Sequence, residues 1–84
     1  MTGWLLCRLD SGMFSDEVAV TYPASSSNHW QKSVFVLRTF VRSASEHEGE
    51  VKVRVLVRDG EKFAVLPTPD DDIVRVEGAD LKQQ

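Results

Sequence analysis

Apolar and polar residues alternate along most of this chain, with the period of two that is typical of a β-strand with one buried face. The clearest run is residues 51–58, in which four valines alternate with Lys52, Arg54, Leu56 and Arg58. No window of eleven or more residues has the i, i+3, i+4, i+7 spacing of an amphipathic helix. The pattern therefore predicts an all-β protein with little helix.

Turn-forming residues divide the pattern into six candidate strands. They cover residues 4–9, 17–22, 33–42, 51–58, 62–66 and 73–77. Residues 79–84 are expected either to form one helical turn or to fray. Because six short strands must curl or pair between subunits to hide their edges, we expect a single domain over residues 1–84, built as a small antiparallel barrel or half-open sandwich of five or six strands.

The turn after residues 51–58 sets the register of the next strand. A three-residue loop at 58–60 pairs Val57 with Glu61, whereas a two-residue turn at 59–60 pairs Val57 with Lys62. The three-residue loop keeps apolar residues opposite one another along the hairpin, so matched apolar pairs favour it.

Folding residues 33–42 back on residues 51–58 brings cations and apolar side chains together on the outer face of the sheet. The expected pairs are Arg42 with Lys52, Phe40 with Arg54, and Arg38 with Leu56. Directly opposed cations destabilise a sheet by a few tenths of a kcal/mol, so an anion or an acidic partner surface is expected to cover them. With Arg58, these residues form the predicted binding face.

The opposite face supplies the expected core, which consists of Val18, Val20, Leu37, Val41, Val53, Val55, Val57, Phe63 and Val65. Cys7 alternates with Leu5 and Leu9, which favours an inert core thiol. Trp4 and Trp30 are expected to be more exposed than Tyr22, and they are the candidates for stacking on a base, a sugar or a proline.

No catalytic or metal-binding motif is present. His29, His47 and Cys7 come from separate segments without metal-ligand spacing. The carboxylates of Asp70–Asp72 lack the glycine and spaced oxygens of a calcium loop, and Glu46, Glu48 and Glu50 have no catalytic partner. Nucleotide-binding and hydrolase motifs are also missing. We therefore expect no metal, no cofactor and no enzymatic activity, and keep a small hydrolase or metal enzyme built on Asp70–Asp72, His29 and His47 only as a third hypothesis.

Size and charge narrow the candidate functions. The chain has 84 residues and 9.4 kDa, with 10 Lys and Arg against 13 Asp and Glu, and its net charge of -3 disfavours nucleic acid and anionic lipid. A domain this small buries only about 60–65% of its unfolded surface, which favours self-association. A single cysteine and an apolar run limited to residues 4–7 predict a cytoplasmic protein without a membrane span.

Two segments resemble known families. The sequence Gly-Met-Phe-Ser-Asp-Glu at residues 12–17, leading into the alternating residues 18–20, resembles the start of the second strand in small uncharacterised bacterial β proteins, including products of mobile gene cassettes. Residues 51–81 are similar in rhythm to small SH3-like barrels, in which a hairpin and a final short strand close onto the first strand. SH3 peptide-groove, Sm and cold-shock signatures are absent, so the resemblance implies a fold and no function.

The leading hypothesis is a non-enzymatic binding or assembly module that acts as a homo-oligomer through the predicted binding face, with another acidic protein as a possible partner. The alternative is a binder of nucleic acid or another anionic ligand, which uses the same cations with Trp4 or Trp30 as a stacking platform.

Overall fold

The computed structural model describes residues 1–24 and 31–83, which form eight β-strands and two 3₁₀ turns without an α-helix. The strands are β1 (Thr2–Ser11), β2 (Glu17–Tyr22), β3 (Lys32–Leu37), β4 (Val41–Ser43), β5 (Glu48–Arg58), β6 (Glu61–Val65), β7 (Ile73–Val76) and β8 (Leu81–Gln83). The 3₁₀ turns, Arg38–Phe40 and Gly78–Asp80, lead into β4 and β8. The predicted small all-β fold is confirmed. Within the described ranges, no helix is long and apolar enough to cross a bilayer.

The strands form one antiparallel sheet that is nearly closed into a barrel. Its main order is β3-β2-β1-β5-β6-β7, and the short strands β8 and β4 pair with β1 and β5. The long central strands β1 and β5 therefore each have two partners along one edge. Along β1 these partners are β8 and then β2, and along β5 they are β4 and then β6. The exchange of partners along β1 and β5 lets the sheet curl around one core.

The last strand closes the sheet onto the first, because Leu81 in β8 pairs with Leu5 in β1. The expectation that residues 79–84 form a helical turn or fray is therefore wrong for residues 81–83, which form a strand. Tyr22, the last residue of β2, stabilises this closure through its hydroxyl group. Its hydroxyl donates to Asp80 Oδ2 at 2.8 Å and accepts from the Glu77 N–H at 3.1 Å. Burial, reinforced by Asp80 and opposed by the Glu77 N–H, raises the pKa of Tyr22 to about 12.

Alternate residues of β1, β2 and β5 supply most of the core, as period-two burial requires. The buried cluster includes Leu5, Cys7, Leu9, Val18, Val20, Tyr22, Val36, Val51, Val53, Val55, Ala64, Leu66, Val76 and Leu81. Cys7 is fully buried, so the prediction of a core thiol is confirmed. Opposite it, Gly49 leaves room for the Leu9 side chain and the Arg42 carbonyl, which a Cβ at Gly49 would strike.

The hairpin between β5 and β6 differs from the prediction. Asp59 and Gly60 form a two-residue turn, and Val57 pairs with Lys62. Both turn residues have positive φ, 53° and 80°, which is the type I′ geometry that matches the right-handed twist of the paired strands. Turn geometry therefore outweighs the apolar pairing that favours the three-residue loop. The new register turns Phe63 to the outer face, opposite Leu56.

The predicted strand 33–42 is also wrong, because it divides between two partners. Residues 32–37 form β3 and pair with β2, whereas residues 41–43 form β4 and pair with β5. The 3₁₀ turn between them redirects the chain. Val41 lies opposite Val51 and Arg42 opposite Glu50, so the expected pairing of Arg42 with Lys52 does not form.

These register changes alter the core. Val18, Val20, Val53, Val55 and Val65 are buried as predicted. Val41 and Phe63 are half-buried. The predictions that Leu37 and Val57 belong to the core are wrong. Leu37 is 45% exposed on the solvent side of β3, and Val57 is 56% exposed near the β5–β6 turn.

Candidate functional site

A groove lies where β5 changes its partner strand. β4 pairs with residues 49–51 of β5 and β6 with residues 54–58, which leaves Lys52 and Val53 between the two partners on that edge. Phe40, at the end of the 3₁₀ turn before β4, lines one part of the gap, and Val65 and Pro67 line another. The groove holds about 220 Å³. It is smaller than the pockets of roughly 300–1,000 Å³ that hold drug-sized ligands, so it fits side chains rather than a cofactor.

The groove continues into the outer face of β5, β6 and β7, which carries apolar side chains in adjacent register positions. Leu56 lies opposite Phe63, and Val65 lies opposite Ile73. Leu56 and Ile73 are 46% and 57% exposed. We call this surface the outer face; it is centred on Leu56, Phe63 and Ile73 and is bordered by Arg54, Arg58, Glu61 and Arg75.

Charged side chains of both signs border the outer face. Arg54 Nη2 lies 3.6 Å from Asp71 Oδ1, and Arg75 Nη2 lies 3.0 Å from Glu61 Oε1. All four side chains are largely exposed, so each pair stabilises the fold by only about 0–1 kcal/mol. The rim therefore carries charges of both signs around an apolar centre, whereas the sequence predicted only cations among the charged residues of this face.

Arg42 does not contribute a free cation to the predicted binding face. Its Nε lies 2.7 Å from Glu50 Oε1, and Lys82 Nζ lies 3.3 Å from Glu50 Oε2. The Arg42 guanidinium also lies over the Trp4 ring, 4.0 Å from its centroid, in a cation–π contact. Burial alone would raise the pKa of Glu50, but the hydrogen bonds from Arg42 and Lys82 outweigh it and lower the pKa.

Arg38 is directed away from the groove, toward the turn between β1 and β2. Its backbone N–H donates to the Asp16 carbonyl at 2.8 Å, and its Nε donates to the Ser15 carbonyl at 3.2 Å. Its Nη2 donates to the Glu17 carbonyl at 3.5 Å. These contacts give Arg38 a positioning role for the turn.

The predicted binding face is therefore brought together only in part. Lys52, Arg54, Leu56 and Arg58 share the outward side of β5, and Phe40 adjoins them at the groove. The pattern missed Phe63 and Ile73 as surface residues, and the three-residue loop placed Phe63 in the core. The signal that finds them is the Asp-Gly dipeptide, which favours a two-residue turn.

The remaining candidates lie apart. Trp4 is half-buried, as expected, and Trp30 and His29 lie outside the described residues. Among the acidic residues of the 70–72 turn, Asp72 accepts from the Thr68 hydroxyl at 2.7 Å and lies 3.2 Å from Lys32 Nζ, and both contacts lower its pKa. In residues 1–24 and 31–83, no three His, Cys, Asp or Glu side chains are grouped to hold a metal ion.

Comparisons of the chain with protein-family models, with curated protein sequences and with solved structures gave no match.

Proposed function

We propose that this chain is a non-enzymatic assembly module that self-associates through the outer face and the groove beside it. The observation that supports the proposal is the apolar centre of Leu56, Phe63 and Ile73, which is bordered by charged side chains of both signs. Contiguous exposed apolar surface rimmed by polar residues is typical of protein interfaces. The single buried thiol is compatible with a reducing cytoplasm, which we include in the proposal.

A second copy of the chain is the partner that the rim favours. Because the rim carries Arg54 and Arg75 as well as Asp71 and Glu61, it offers partners of both signs to another copy. A uniformly acidic partner would meet both repulsion and attraction there. Self-association also covers apolar surface that an 84-residue domain leaves exposed.

The test is Leu56→Asp, which places a carboxylate in the apolar centre. Phe40→Asp is a poorer probe, because Phe40 packs against the core. Val57→Asp is the matched control, since Val57 is the next residue, is 56% exposed and points to the other side of β5. We expect the wild type and Val57→Asp to sediment as oligomers at high micromolar concentration, and Leu56→Asp as a monomer with unchanged β circular dichroism. A wild type that stays monomeric at low salt contradicts the proposal.

Anion binding is the second candidate, and one observation favours it: Lys52, Arg54 and Arg58 lie on the same side of β5, with Trp4 opposite Lys52. Against it, Arg54 is paired with Asp71, and in the part of the chain that the structure describes six of the ten lysines and arginines form ion pairs. Tryptophan fluorescence titrated with a mixed oligonucleotide decides between the two. Binding that weakens steeply with salt supports the anion site, and the absence of quenching at low salt excludes it.

A further inference from the structure

The turn between β1 and β2 exposes two large apolar side chains next to each other. Met13 is 74% exposed and Phe14 is 65% exposed. Among the described residues, neither side chain belongs to the buried core or to the half-buried residues packed against it. We call residues 12–16 the hairpin tip.

Hydrogen bonds hold the backbone of the hairpin tip. Arg38 donates to the carbonyls of Ser15, Asp16 and Glu17, and the Glu17 N–H donates to the Phe14 carbonyl at 3.0 Å. At Gly12, a Cβ would come within 2.6 Å of the Glu17 carbonyl oxygen, so the turn requires glycine there. A fixed apolar tip loses less conformational entropy on binding than a mobile one.

We propose that the hairpin tip of one copy docks in the groove of the next copy, so that the chain assembles head to tail. This inference rests on the proposed function and names the contact that joins the copies. The Phe14 ring would enter the groove beside Phe40 and Val65, whose volume of about 220 Å³ suits a side chain.

The charges of the two surfaces are complementary. Asp16 is exposed at the tip, and Lys52 is exposed at the groove; within the described part of the chain neither has an ion-pair partner within 4.0 Å. The other charges at the groove, Arg54 and Asp71, are paired with each other. Docking would therefore bring a carboxylate of the tip to a cation at the groove.

One molecule cannot dock its tip in its own groove. The groove includes Thr2, the first residue of β1, and the tip follows Ser11, the last residue of that strand. Ten residues of strand separate the two surfaces by about 30 Å. Contacts between two different surfaces on each copy produce a ring if the rotation closes and a filament if it does not.

The experiment uses a tip variant and a groove variant of the full chain. Phe14→Asp removes the apolar tip, and the double variant Lys52→Glu with Arg54→Glu reverses the exposed cations at the groove. We expect each variant alone to self-associate at least about thirtyfold more weakly than the wild type. Mixed in equal amounts, the two variants are expected to form a dimer and nothing larger. Each pair contains only one intact tip and one intact groove, and the dimer contact uses both.

Phe35→Asp is the matched control, since Phe35 is a second exposed phenylalanine, 46% exposed, on the outer side of β3. It should assemble like the wild type. Dissociation of Phe35→Asp, or a mixture that stays monomeric, overturns the head-to-tail contact. If Phe14→Asp assembles normally while Leu56→Asp is a monomer, the tip is not the contact but the proposed function stands; a monomeric wild type overturns both.

Discussion

At the residue scale, Glu50 lies among groups that favour its charged form. Only 12% of its side chain is exposed, and Arg42 and Lys82 each contact one carboxylate oxygen. A carboxylate with two cationic partners satisfies the requirement that buried charge be paired. The pair with Arg42 also fixes the guanidinium over Trp4, so one carboxylate organises side chains from β1, β4, β5 and β8.

This arrangement predicts acid sensitivity that depends on Glu50. Because its pKa is lowered in the folded protein, the stabilisation is fully present above the ordinary glutamate pKa of about 4.3 and is lost as the pH falls through the lower folded value. Glu50→Gln is expected to be less stable than the wild type at pH 7 and to lose less stability between pH 5 and pH 3. Urea unfolding across that range measures both effects.

Glu48→Gln is the control, because Glu48 is an exposed carboxylate two residues earlier on the same strand. It should keep the acid sensitivity of the wild type. If Glu50→Gln loses as much stability between pH 5 and pH 3 as the wild type, other carboxylates account for the acid sensitivity. Asp72, whose pKa is also lowered, is one of them.

At the scale of the elements, the β5–β6 turn decides which side chains reach the outer face. Its two residues occupy the left-handed region, where a side chain with a Cβ costs roughly 1–2 kcal/mol and glycine does not. A loop one residue longer would move every side chain of β6 to the other face. The turn therefore places Phe63 beside Leu56 and so builds the apolar centre of the proposed interface.

We expect Gly60→Ala to destabilise the protein by about 1–2 kcal/mol, because its φ of +80° is unfavourable for alanine although no atom lies within 4 Å of the added Cβ. Gly78→Ala is the matched control, since it also has open space but no positive φ. The midpoint temperature of thermal unfolding should fall by roughly 4–8 °C for each kcal/mol of stability that Gly60→Ala loses, and should change little in Gly78→Ala. Equal effects of the two substitutions would contradict the assigned turn.

The elements also show which features the sequence pattern could predict. The valines of residues 51–55 are buried and Lys52 and Arg54 exposed, because strand alternation is a local property. One part of residues 33–42 pairs with β2 and another part with β5. This division depends on strands that are distant in sequence, and the alternation of apolar and polar residues does not identify them. Lys52, Arg54 and Leu56 consequently lie on the predicted face, whereas Arg38 and Arg42 form other contacts.

At the scale of the whole molecule, β1 connects the two halves of the sheet. It pairs with β5 over seven positions, with β2 at its end and with β8 at its start. The sequence indicated only a short strand at residues 4–9, because the charged residues near its end interrupt the apolar run. Its central position follows from pairing with β5, some forty residues later, which a local pattern cannot show.

Cys7 provides a probe for opening of this central strand. Its side chain is fully buried, and burial, together with the negative charge of Asp80, raises the pKa of its thiol to about 12. Alkylation requires an accessible thiolate, so it should proceed through molecules in which β1 has separated from its neighbours.

We expect iodoacetamide at pH 8 to modify Cys7 at least about a thousandfold more slowly in the folded protein than in urea-unfolded chain, as marginal domain stability implies. Low urea concentrations should accelerate the reaction with the same dependence as global unfolding, because β1 cannot open alone while it pairs with β2, β5 and β8. A Cys7→Ala variant with cysteine placed at exposed Ser45 controls for reagent reactivity and should react rapidly in the folded state. Rapid native modification of Cys7, or a rate insensitive to urea, would show that β1 opens locally and that the sheet is not one cooperative unit.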